Sequence, residues 1–137
     1  MNSLLLIGPA MMAALGVSLL LRFIWAARSR RDLSTTWREP SAANELLYVT
    51  AHAALGAGIG LLFWLSWGFT ALVEISWWQR GLVFGLMNAV VFSALPLLIV
   101  RSLLRTTPPL IQLLLVETCC TCVAASLACS WAWSQSL

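Results

Sequence analysis

LIQLLLVETCCTCVAASLACSWAW, residues 110–133, holds one charged side chain, Glu117. An α-helix rises about 1.5 Å per residue, so the stretch is long enough to cross a hydrocarbon core of about 30 Å. Lipid offers the backbone no hydrogen-bond partner, which makes a helix the expected form. A carboxylate deep in such a helix costs about 3 kcal/mol, and each apolar residue returns about 0.3–0.6 kcal/mol. With eight Leu, Ile and Val in the stretch, the helix is marginal alone in lipid and is expected to lean on neighbours.

Working outward, three further segments have the same character, at about residues 3–25, 46–73 and 79–104. The whole chain is 61% apolar and 9% charged, where a soluble domain carries roughly a quarter charged residues. These features predict an all-α integral membrane protein: one transmembrane domain over residues 1–137, built as a four-transmembrane-helix up-down bundle. The segment from Met1 to Leu21 has no charged side chain and no convincing cleavage site, so the first helix is expected to be retained.

The polar connections set the expected orientation. The basic loop 26–45 and the third connection carry or adjoin Arg28, Arg30, Arg31, Arg38, Arg101 and Arg105, against Arg80 alone on the opposite side. Arginine excess marks the cytoplasmic face, so both termini are expected on the outer side. Trp67, Trp77, Trp78, Trp131 and Trp133 then fall at the outer interface, where indole rings are favoured. A short interfacial helix is expected around Trp37. Eight Arg with no Lys hint at a GC-rich bacterial genome, hence a multi-pass protein of the bacterial cytoplasmic (inner) membrane. The arginines cluster between apolar stretches instead of forming a basic face, which argues against nucleic acid as a partner.

Three ionisable residues are expected to meet inside the bundle. Helical spacing puts Glu117 on one face with Thr121, Ala124, Ala125 and Ala128, and His52 on one face with Glu45, Tyr48, Gly56 and Phe63. Arg22 lies at a comparable depth near the inner end of the first helix, where it either pairs with Glu117 or snorkels to the headgroups. An intramembrane cluster of Arg22, His52 and Glu117 has two roles open to it, a proton or cation site and a buried structural knot.

Other motifs point to packing. Gly56 and Gly60, Gly81 and Gly85, and the small side chains Ala124 and Ala128 suit close helix approach. Gly56, Gly58 and Gly60 also look like a fragment of a phosphate loop, but no strand precedes them. Asn88 shares the Gly81 and Gly85 face, with Phe92 and Pro96 following; Pro96 frees the Phe92 carbonyl, making Asn88 and Pro96 a hinge candidate. Cys119, Cys120, Cys122 and Cys129 are spaced for helix packing rather than for a shared disulfide or ion. No metal and no cofactor is expected, since His52 is the sole histidine and lacks companion ligands.

The sequence shows no Ser/His/Asp set and no carboxylate pair at acid–base spacing, so no enzyme is expected. The first functional expectation is a non-catalytic accessory, assembly or immunity-type partner, contacting membrane lipid and either another membrane protein or itself as a homo-oligomer. The alternative is a minimal homo-oligomeric proton-coupled transporter or channel using Glu117 and His52. In layout the chain is similar to small proton-coupled multidrug exporters, with four helices and one membrane carboxylate. There the acid lies in the first helix, here in the fourth, and no motif is shared.

Overall fold

The computed structural model describes residues 4–28, 41–66, 75–103 and 108–135. Among these every regular element is helical: α1 (Leu4–Arg28), α2 (Ala42–Leu65), α3 (Trp77–Ala89), a π-turn (Val90–Ala94), α4 (Leu95–Leu103) and α5 (Pro108–Gln135). Four helices are long and apolar enough to cross a membrane: Leu5–Trp25, Ala42–Leu65, Trp77–Val100 and Ile111–Gln135. The expected helical residues 67–73, the expected short interfacial helix around Trp37, Trp67 and the arginines at 30, 31, 38 and 105 lie outside the described residues.

Local chemistry places the ends. The Ser41 side chain accepts from Asn44 N at 3.2 Å, and Ser41 O accepts from Glu45 N at 3.0 Å, so α2 begins at Ala42 rather than near residue 46. Glu45 therefore sits in the first turn, where the helix dipole favours a carboxylate. At the other end Ser66 N closes on Leu62 O at 2.9 Å. Gln79 Oε1 folds back onto Ser76 N (3.2 Å) and Ser76 Oγ (2.7 Å), stabilising the start of α3. Pro108 opens α5, a position that needs no intrahelical N–H partner.

The third long helix is interrupted at the π-turn, where Leu95 N reaches Val90 O five residues back. Pro96 follows directly and has no N–H to give, so the ladder is already broken there. The extra residue per turn shifts the buried face. Gly81, Gly85, Ala89 and Ser93 lie inward, while Phe92 and Pro96, expected on that face, are exposed.

The helices pack around α5, which touches α1, α2 and the third long helix. Of its apolar span 44% is buried, against 22–28% for the other three. α1 also packs along α2, but α2 and α3 do not pack along their lengths; Phe63 and Phe84 join them edge to face at 5.0 Å. The bundle is thus a ring opened between its second and third members. The sequence expectation that consecutive helices are packed neighbours fails for this pair, because the glycines of α3 face α5. A Cβ on Gly81 would lie 2.8 Å from Leu127 Cα, and one on Gly85 would lie 2.7 Å from Val123 Cα. In the same way Gly56 and Gly60 press α2 against Met11 Cα (2.8 Å) and Ile7 Cα (2.9 Å) of α1. Small residues allow backbones to approach where lipid gives no hydrophobic drive for association.

Candidate functional site

The polar side chains of α1, α2 and α5 converge in the half of the bundle that contains the C-terminal end of α1 and the N-terminal ends of α2 and α5. At about 1.5 Å per residue, Glu117 lies roughly 14 Å along α5 and His52 roughly 15 Å along α2. The two meet: His52 Nε2 is 3.2 Å from Glu117 Oε1. Glu117 is 3% exposed. Its carboxyl also accepts a short hydrogen bond from the Tyr48 hydroxyl, which lies 3.1 Å from Ser18 O on α1.

His52 is fixed on both sides of its ring. Nδ1 lies 2.9 Å from Tyr48 O, one helical turn earlier, and the imidazole stacks at a tilt on the Tyr48 ring with centroids 4.2 Å apart. Thr121 donates to Glu117 O at 2.8 Å, tying the next turn of α5 to the same point.

Arg22 does not reach Glu117. Its guanidinium forks onto Glu45, with Nη1 to Oε2 at 2.8 Å and Nη2 to Oε1 at 2.6 Å, and its Cζ lies 4.4 Å from the Tyr48 ring centroid. The nearer carboxylate wins because a two-bond fork suits the planar guanidinium, and because Tyr48 already occupies the approach to Glu117. Arg22 thus joins the cluster through the Tyr48 ring. The Arg22 and Glu45 side chains are 31% and 46% exposed, against 13% for His52 and 5% for Glu117, so the cluster grades from open to sealed.

Sequence reasoning placed Tyr48 and Glu45 on the His52 face but gave them no role. Tyr48 contacts Arg22, His52 and Glu117, and its helical spacing to His52 was the available signal. Ser93 and Thr118 were missed. They share a short hydrogen bond between the π-turn and α5, and Cys119 Sγ donates toward Ser93 Oγ at 3.6 Å. Ser93 lies in the π-turn at four-residue spacing from Gly85 and Ala89, and that spacing was the available signal.

Asn88 is buried and its side-chain amide donates to Phe84 O at 2.8 Å on its own helix. Ala124 and Ala128 are half-buried, whereas Ala125 is fully enclosed. Ala124 lines an open apolar cleft with Val17, Cys119, Cys120, Val123 and Leu127. The four cysteines are free; Cys122 and Cys129 are buried, Cys120 is exposed. Cys129 Sγ donates to Leu6 O at 3.7 Å, a packing contact between α5 and α1. Among the described residues no three His, Cys, Asp or Glu side chains are grouped to hold a metal ion.

Beyond the cluster apolar side chains fill most of the interior, with Arg80, Asn88, Thr121, Ser126 and Ser130 buried among them. Leu6, Ile59 and Phe63 are 0–1% exposed, and Phe63 sits edge-on to both Phe84 (5.0 Å) and Trp133 (6.0 Å). Ser130 Oγ donates to Trp77 O at 2.7 Å, holding the end of α5 against the start of α3. No protein family, curated protein or solved structure matches this chain.

Proposed function

We propose that the chain is a multi-pass protein of a bacterial cytoplasmic membrane and acts there without catalysis, as an accessory, assembly or immunity-type partner of another membrane protein. The observation that carries this reading is how the side chains divide. Polar groups turn inward, where Tyr48, His52 and Glu117 bond one another and Asn88, Thr121 and Ser130 bond backbone carbonyls, while Leu20, Phe23, Leu61, Leu86, Leu98, Ile99 and Val116 face outward on the four long helices. At membrane depth the chain therefore offers other molecules an apolar surface, and recognition there runs through helix packing. The arginine count still argues for both termini outside, and Trp77, Trp78 and Trp131, all exposed at one end, fit a headgroup belt.

The test is extraction into lipid nanodiscs followed by native mass spectrometry. A foreign membrane subunit at fixed stoichiometry is the expected result. A homo-oligomer without a foreign subunit contradicts it and favours the second reading, a proton-coupled transporter or channel. The enclosed Glu117–His52 pair supports that second reading. Under it, Glu117→Gln abolishes flux in proteoliposomes while the fold survives; flux unchanged by the substitution rules out that mechanism.

A further inference from the structure

The geometry points to Glu117 and His52 forming a binding site for a single proton, open to one end of the bundle only. This goes beyond the partner role and does not depend on it. The Tyr48 carbonyl can only accept, so at 2.9 Å it requires a hydrogen on His52 Nδ1. That fixes the tautomer and leaves Nε2 and Glu117 Oε1 facing each other at 3.2 Å. With no proton between them, two lone pairs oppose each other and the buried carboxylate keeps a donor only in the Tyr48 hydroxyl. With two, the acid hydrogen must sit on Oε2, away from the imidazolium, and a net cation is buried. One proton satisfies both atoms, on Oε1 as a carboxylic acid donating to a neutral imidazole, or on Nε2 as an imidazolium donating to a carboxylate.

The surrounding charges leave this balance undisturbed. From α1 the groups facing the site are the Ser18 carbonyl, 3.1 Å from the Tyr48 hydroxyl whose one hydrogen goes to Glu117, and Arg22, neutralised by Glu45 through two hydrogen bonds. From α2 they are Glu45, Tyr48 and His52. From α5 Thr121 donates to a backbone oxygen, and from the third long helix Ser93 reaches Thr118 without titrating. The sum is neutral when the pair holds one proton.

Access is one-sided. Toward the Arg22 end the polar groups continue outward with rising exposure, through Tyr48 to Glu45. In the other direction Ile59, Phe63, Phe84 and Trp133 close the interior, and Gly60 brings α2 onto the Ile7 backbone. The buried polar side chains on that side form no chain: Thr121 donates to Glu117 O, Asn88 to Phe84 O and Ser130 to Trp77 O, and Ser126 Oγ has no hydrogen-bond partner among the described residues. A proton can therefore be exchanged with one face and meets no continuous hydrogen-bonded relay to the other.

The experiment uses the full chain in nanodiscs. His52 is the sole histidine, so nitrogen-15 histidine NMR reads its two ring nitrogens without ambiguity. Infrared spectra of wild type and Glu117→Gln, compared in the carboxyl region, read the state of Glu117. At neutral pH the expected result is a protonated Nδ1 together with one further proton, found either on Nε2 or as a Glu117 carboxylic-acid band that Glu117→Gln removes. A bare Nδ1, or a neutral imidazole beside an ionised Glu117, overturns the proposal. The NMR reading of Nδ1 needs no variant and stands if Glu117→Gln fails to fold. For the sidedness, wild-type proteoliposomes under a pH gradient are expected to pass no protons above the lipid background; a steady flux lost in Glu117→Gln overturns one-sided access.

Discussion

At one end of the bundle α1, α2 and α5 are joined by Arg22, Glu45, Tyr48, His52 and Glu117. At the other, α2, α3 and α5 are joined by Phe63, Phe84 and Trp133 above glycine seams. For helices long and apolar enough to cross a membrane, the difference teaches which forces remain if the solvent is lipid. Acyl chains solvate a phenylalanine about as well as a protein core does, so the aromatic contacts hold by fit, with the Ser130 to Trp77 O hydrogen bond beside them. A carboxyl or imidazole has no partner in acyl chains, so the polar end is held by hydrogen bonds that can be made only with other protein groups.

The comparison predicts that shape changes at the fitted end have the largest effect. Gly85→Leu drives a side chain into the Val123 backbone and is expected to lower stability by about 3 kcal/mol in detergent unfolding. Gly58→Leu is the matched control. A Cβ there meets nothing within 4 Å, and the change should stay within about 0.5 kcal/mol. Equal losses in the two variants would break the assignment of Gly81 and Gly85 as a seam.

Phe63→Ala comes next. Phe→Ala in a soluble core costs about 3–5 kcal/mol, transfer and cavity together. With the transfer part absent in lipid, the expected loss is about 2 kcal/mol. A loss at the full soluble value would show that the aromatic end is not lipid-solvated when the helices separate.

At the polar end Tyr48→Phe keeps the ring against His52 and Arg22 but removes the hydroxyl that joins Ser18 O and Glu117. Thermal unfolding should show a loss of about 1 kcal/mol. Arg22→Gln is expected to cost the least, under about 1 kcal/mol and less in high salt, because both members of its ion pair are partly exposed. A salt-independent loss exceeding that of Tyr48→Phe would invert the grading from open to sealed.

Much of this was legible in the sequence because length and apolarity suffice to mark long membrane-type helices, and 3.6-residue spacing suffices to turn Glu117 and His52 inward. Two features escaped for physical reasons. Glu45 was placed on the His52 face but at the edge of the loop 26–45, and Arg22 was offered only Glu117 or the headgroups; the Ser41 cap starts α2 at Ala42 and sets Glu45 in its first turn, bonded to Arg22. Regular spacing also assigned Phe92 and Pro96 to the inner face of the third long helix. A π-turn advances the phase by one residue, and that choice is made by packing against Thr118 rather than by any local preference. Ala125, not Ala124 or Ala128, is the enclosed alanine, since the direction from which α1 approaches α5 is not written in either helix alone.

The union of Glu117 and His52 is tested most directly by a double-mutant cycle with Glu117→Leu and His52→Leu, measured as unfolding free energy in the same lipid. Each single change leaves a buried polar partner unsatisfied, whereas the double change removes both. The predicted result is a double variant that loses less than the sum of the singles by about 1–2 kcal/mol. Losses that add to within about 0.3 kcal/mol would mean that the two side chains do not act as one unit.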